Sequence, residues 1–156
     1  MDKNTAMTKL EESRRALLES IRGLSETQLS QKTVEGIWTA KDLMAHVSTW
    51  EVTVLQPLRQ FVETGDFIPA PIPDHLAWND QQARLWQQKN LAQVQDEMQI
   101  TRQQLIAYAE KLPLSQWDLV LPAPWGGEGT LAQLLAGLAW HEMEHVESIR
   151  KGFEQA

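Results

Sequence analysis

With 156 residues and no long Pro, Gly or Ser stretch to split it, the chain reads as a single domain over residues 1–156, large enough for one real core. Its 42% hydrophobic and 22% charged residues are ordinary for a soluble globular protein, and a formal net charge of -7 without clustered Lys and Arg argues against a general nucleic-acid or anionic-membrane surface. The absence of cysteine removes disulfides, thiolate metal sites and a cysteine nucleophile.

The amino terminus, Met1-Asp2-Lys3-Asn4-Thr5, lacks the apolar run of a signal peptide, and no segment approaches the length of a membrane span, so a cytoplasmic location is expected. Met7, Leu10, Leu17, Ile21 and Leu24 then recur at helical steps, with Glu11, Glu12, Arg14 and Arg15 mostly on the other side. This predicts a first amphipathic helix over about residues 3 to 23. Ser25 and Gln28 have capping-box spacing for a short helical turn in the connection. Thr39 as N-cap, Asp42 three residues on, and a Trp38–Leu43 staple predict that a second helix starts near Ala40. It runs to about Thr64, where Gly65 ends it, and Pro57 should kink it around Thr53 or mark its early end.

Pro69, Pro71 and Pro73 make residues 65–77 an extended connection, in which His75 is expected to be solvent-exposed. Asn79 or Asp80 has the character of a cap for a long third helix whose seam is Leu91, Val94, Met98, Thr101, Leu105, Tyr108 and Leu112, stopped by Pro113. After an irregular stretch from Leu121 to Gly129, Thr130 and Gln133 form another capping-box pair, and a last helix covers roughly Leu131 to Lys151. No strand alternation stands out. The predicted fold is an all-α four-helix bundle.

Three of the four histidines fall on inward stripes. His46 lies with Leu43, Val47, Trp50 and Val54, while His141 and His145 extend Leu131, Leu134, Leu135 and Leu138. A single inward histidine is most simply a hydrogen-bonded core residue, but three on two faces exceed what composition would place there. His46 is about two turns from the start of its helix and His145 about two turns from the end of its own. They are level only if those helices run antiparallel, which selects an up-down-down-up order. Residues 65–78 can stretch to about 45 Å, enough for the crossover this order needs.

The pentad His141-Glu142-Met143-Glu144-His145 spells His-Glu-x-x-His, but a zincin also needs a downstream ligand. Six residues on stands Lys151; Glu147 is too near on the same helix, Glu154 lies in the tail, and no strand exists to present a peptide. The pentad is therefore not a protease helix. Glu142 and Glu144 either orient an imidazole or act as general base, with Glu142 the candidate catalytic residue, or they are solvated helix charges. Trp50, Trp125 and Trp140, from a total of seven tryptophans, line an apolar mouth or belong to the core.

The run Gly36-Ile37-Trp38-Thr39-Ala40-Lys41-Asp42-Leu43, with Ala45-His46, Trp50-Glu51 and a late His-x-x-x-His followed by Ile149-Arg150, resembles the DinB-like four-helix-bundle superfamily. The Trp-Thr-Ala-Lys-Asp-Leu segment is especially similar to its ClbS/DfsB branch. The resemblance implies an up-down-down-up bundle, a homodimer, and a divalent metal held by His46, His141 and His145. Three imidazoles leave open positions on Zn²⁺, Ni²⁺, Fe²⁺ or Mn²⁺, where a water or a thiol is acidified. Relatives implied by the resemblance include transferases using low-molecular-weight thiols, a thiol-dependent isomerase and a resistance protein that opens a cyclopropane. The expected function is a metal-dependent hydrolase or low-molecular-weight-thiol S-transferase acting on a small electrophile or xenobiotic. The other expectation is a non-catalytic, ligand-sequestering or dimerising bundle.

Overall fold

The computed structural model describes residues 1–154. Its elements in chain order are α1 (Lys3–Ile21), α2 (Glu26–Gln31), β1 (Thr33–Glu35), β2 (Trp38–Thr39), α3 (Ala40–Thr64), α4 (His75–Trp86), α5 (Leu91–Glu110), α6 (Leu114–Trp117), β3 (Val120–Pro122), β4 (Glu128–Thr130) and α7 (Leu131–Phe153). The helix starts are set by local chemistry. Thr39 and Asp42 form a reciprocal capping box at α3, as do Thr130 and Gln133 at α7, each pair satisfying two backbone N–H groups that the first turn leaves free. Gly65, at φ 84°, terminates α3 in the left-handed conformation that a side chain disfavours.

The four long helices form an up-down-down-up bundle, and two layers of core fix the directions. In one layer Ala6 and Leu10 of α1 meet Val54 and Leu58 of α3, Leu105 of α5, and Leu131 and Leu135 of α7. In the other, Leu17 and Ile21 meet Leu43 and Met44, Val94 and Met98, and Val146 and Ile149. Early α1 therefore lies with early α7 but with late α3 and late α5, so α1 and α7 run one way and α3 and α5 the other. The Lys3 Nζ contact to Glu110 Oε2, 2.7 Å, ties the start of α1 to the end of α5 in the same sense. Truncating a fully buried leucine of either layer, such as Leu135, should cost about 2–5 kcal/mol.

Four details differ from the sequence-based expectations. The third helix is two helices: Asp74 caps α4, not Asn79 or Asp80, and an Asn90–Gln93 capping box starts α5 afresh. His75 is accordingly the first residue of a helix rather than part of a loop, although it is exposed as expected. The early end that was one of the two outcomes expected at Pro57 is absent, since α3 runs unbroken to Thr64 with the ring buried against the bundle. Two small antiparallel hairpins are present, β1 with β2 and β3 with β4, and each leads directly into a long helix, α3 and α7 respectively. No helix among the described residues is long and apolar enough to cross a membrane.

Candidate metal centre and its cavity

The capping residues that start α3 and α7 also set the phase of the histidines. His46 lies seven positions after Thr39, two turns into α3, while His141 and His145 are one turn apart on α7. Because the helices run antiparallel, the rings meet. His46 Nε2 lies 3.0 Å from His141 Nε2, which lies 3.0 Å from His145 Nε2, and one nitrogen from each ring falls within 4.8 Å of the others. His46 and His145 are buried and His141 is half-buried.

Hydrogen bonding alone does not satisfy this arrangement. His141 Nε2 offers either one proton or one lone pair, yet it faces two other ring nitrogens at hydrogen-bond distance. His145 Nδ1 lies 3.0 Å from Glu35 Oε1, and a carboxylate only accepts, so the His145 proton belongs on Nδ1 and its Nε2 lone pair faces the cluster. Burial, with the neighbouring His141 and His145, pushes His46 down to about 2. Burial, together with His145, pushes His141 down to about 4. At neutral pH both rings are neutral, the form that ligates a metal. The two 3.0 Å pairs fit adjacent positions around a divalent ion with bonds of about 2.1 Å, while the outer pair, His46 and His145, within 4.8 Å, has to stand no more than about 4.2 Å apart to share that ion.

Beside the cluster opens a cavity of about 330 Å³, lined by His46 and His141, by Trp50, Trp125, Trp140 and Leu138, and by His75 and Asn79. Trp50 is held in place by a hydrogen bond from its Nε1 to Asn79 Oδ1, 3.0 Å, and by the Trp78 ring at 4.6 Å. Trp125 lies against Gly137, where a Cβ would stand 3.2 Å from its Cζ2; the bare backbone of α7 makes room for the indole. Trp140 is 64% exposed and, with the exposed His75, stands at the rim. The tryptophans expected at the mouth thus line a cavity, and His75 joins them.

Glu142 is not brought to this cavity. Its carboxylate faces α1 and α5, accepting from Ser13 Oγ (2.6 Å), Arg14 Nε (2.6 Å) and Arg102 Nη2 (2.6 Å). Arg102 also pairs with Glu51 and donates from Nη1 to the Leu10 carbonyl, 2.7 Å. Burial works against the charge on Glu142, but Arg102 and Arg14 outweigh it and hold the carboxyl below its ordinary range. Glu51, fully buried, is shifted the other way by burial in spite of the same two guanidinium groups. One residue of the pentad thus anchors the core instead of facing substrate. Glu144 is exposed, the solvated alternative.

Sequence reasoning did not find Glu35, Ser148 or Asn79. Glu35 is 110 residues from His145 and carries no local signal; the clue to the ion cluster was Arg102, placed on the apolar seam of α5 beside Met98 and Leu105.

An antiparallel pair of bundle helices contributing three converging imidazoles to one end of an aromatic cavity defines a class of protein, the histidine-cluster four-helix bundle. Residues 9–149 match the DinB superfamily, and the chain belongs to it. Uncharacterized protein YuaE of Bacillus subtilis (strain 168) is 21% identical over 154 residues, covering 93% of this chain and 95% of YuaE. Among solved structures, the mycothiol-dependent maleylpyruvate isomerase superposes with a TM-score of 0.80 at 12% identity over 96% of this chain, which spans 61% of that longer one. The colibactin self-resistance protein ClbS, solved in complex with a dsDNA, superposes with a TM-score of 0.76 at 14% identity, over 96% of this chain and 94% of ClbS. These structural likenesses show a shared fold.

Proposed function

We propose that this protein binds one divalent metal ion through His46, His141 and His145 and adds a low-molecular-weight thiol to a small, largely apolar electrophile or xenobiotic held in the adjoining cavity. The observation that carries this reading is the convergence of three imidazole nitrogens beside an aromatic cavity. A bound Zn²⁺, Ni²⁺, Fe²⁺ or Mn²⁺ with open coordination positions supplies Lewis acidity sufficient to ionise a thiol or a water near neutral pH.

The chain's own residues favour the thiol. Hydrolysis asks for an acid or base beside the scissile bond. No carboxylate lines the cavity among the described residues, and Glu142 is committed to two guanidinium groups. Thiol addition asks for less: the S–H proton leaves, the sulfur forms a bond to the electrophilic carbon, and a proton returns to the atom that gained the electron pair. His75 at the rim is placed to pass those protons to and from water. Trp50, Trp125, Trp140 and Leu138 bury the apolar body of the electrophile and exclude water from it. The mycothiol dependence of the superposable isomerase supports the same direction. A homodimer in the cytoplasm remains the expected setting, and a net charge of -7 gives nucleic acid no part in the proposal.

The test is a panel of low-molecular-weight thiols against an epoxide and an α,β-unsaturated ketone, using metal-loaded wild type and the triple variant H46A/H141A/H145A. Thioether formation that needs both metal and the three histidines supports the reading. Equal product with and without metal overturns it. The cavity walls do not depend on the imidazoles alone, so a triple variant that still binds the apolar compound, with no thioether formed by any protein, would instead identify a sequestering bundle.

A further inference from the structure

The β1–β2 hairpin touches two of the three clustered imidazoles, and these belong to different helices. Glu35 and Trp38 pair across the hairpin, joined by a turn at Gly36 with φ 58°. From this one rung, the Glu35 carboxylate reaches His145 of α7, and the Trp38 ring packs 4.7 Å from the ring of His46 of α3. Glu35 Oε1 is itself held by Ser148 Oγ at 2.6 Å. One turn further along α7 lies Gly152, where a Cβ would fall 2.4 Å from Val34 Cγ1 and 2.6 Å from Val34 Cβ, so any larger residue would lift the strand. Lys32 Nζ sits 5.0 Å above the Phe153 ring just beyond. His145, Ser148 and Gly152 are spaced by three and four positions, one face of the helix, and the hairpin lies along it.

We propose that Glu35 is the positioning residue of the centre, and that the hairpin, seated on Gly152, sets how tightly the imidazoles hold a metal ion. This rests on the metal reading above. A carboxylate accepting from Nδ1–H fixes the His145 ring and keeps the proton off Nε2, where it would otherwise face His141. His46 has no such polar partner: its Nδ1 is buried without a hydrogen bond, and the ring is steered by Trp38 and Trp86 packing instead. The hairpin therefore delivers a polar constraint to one ligand and a steric constraint to another. Binding of metal and docking of the hairpin must then favour each other reciprocally.

Cobalt(II) titration of metal-free protein tests this, read by affinity and by visible absorption. Glu35→Ala is expected to weaken cobalt binding about 10- to 100-fold and to alter the absorption bands, while the metal-free protein melts close to wild type. Glu35→Gln keeps an acceptor for Nδ1–H without the charge and should fall between the two. Gly152→Ala removes no polar group and should still weaken binding by displacing Val34 and with it Glu35. Wild-type affinity in Glu35→Ala overturns the proposal, and wild-type affinity in Gly152→Ala overturns the role of the seat. A wild-type chain that takes up no cobalt overturns the metal reading as well, so the two failures are distinguishable.

Discussion

His141 and Glu142 are neighbours on α7, and His46 and Glu51 lie five positions apart on α3, yet the two buried polar clusters they build are balanced differently. Glu51 and Glu142 face Arg14 and Arg102, two carboxylates against two guanidinium groups, with hydrogen bonds from Ser13 and to the carbonyls of Leu10 and Met98. Charge for charge that cluster is balanced within the chain, although Glu51 Oε2 is buried without a hydrogen-bond partner. The histidine cluster gathers lone pairs with no side-chain cation among the described residues and opens on an aromatic cavity, where the carboxylates of the other are packed between the helices and only its Arg14 and Arg102 border a surface groove. A charge-balanced buried network is held by its own pairs, whereas the three converging imidazoles could hold a cation from outside, as proposed above.

The comparison is broken most severely at Arg102. Arg102→Met leaves Glu51 and Glu142 facing each other with Arg14 alone, and should cost about 3–5 kcal/mol in urea unfolding. A loss below about 1 kcal/mol would mean that the ion cluster is not structural. His141→Ala should do the reverse. It should weaken metal binding by more than about 100-fold, since an outer partner of a ligand is already worth 10- to 100-fold, while the metal-free protein keeps its cooperative unfolding. Next in size, metal at 100 times its Kd should stabilise the wild type by about 2.7 kcal/mol, an increment that a chelator reverses and that H46A/H141A/H145A lacks.

Acid sharpens the same contrast. Burial and neighbouring imidazoles hold His46 at about 2, and burial with His145 holds His141 at about 4, whereas both titrate near 6.5 in an unfolded chain. Between about pH 6.5 and 4 the unfolded chain therefore binds more protons than the folded one. Metal-free stability should rise with pH through that window, by up to about 1.4 kcal/mol per pH unit for each histidine, and level off above it. Thermal melts of the wild type should show this slope, and melts of a His46→Ala, His141→Ala double variant should be flatter. The smallest effect is expected at the rim: Trp140→Ala should change stability by less than about 0.5 kcal/mol yet raise KM for an apolar electrophile.

The frame of the fold is legible in the sequence wherever its cause is local. Thr39 with Asp42 and Thr130 with Gln133 announce two helix starts because a capping box needs only four consecutive residues. From those starts, phase and depth bring His46 level with the α7 histidines, and with them comes the need for a crossover, although α4 makes much of it in place of the extended residues 65–78 expected. The break before α5 is missed because residues 87–90 contain neither Pro nor Gly, although Asn90 and Gln93 carry the same local code. Strands of two and three residues are too short to show alternation. Glu35 is invisible for a different reason: its role is created by a hairpin docking against the far end of the chain. Glu142 misleads because adjacency in sequence is about 100° of rotation on a helix, enough to turn it from the cavity to α1 and α5.

The central claim is that the histidine cluster is completed by a metal ion, and its most direct test is elemental analysis of gently purified protein after dialysis. The account predicts one divalent metal per wild-type chain and none in a folded H46A/H141A/H145A variant. A wild-type chain that carries no metal and takes up neither Zn²⁺, Ni²⁺, Fe²⁺ nor Mn²⁺ on titration would contradict it.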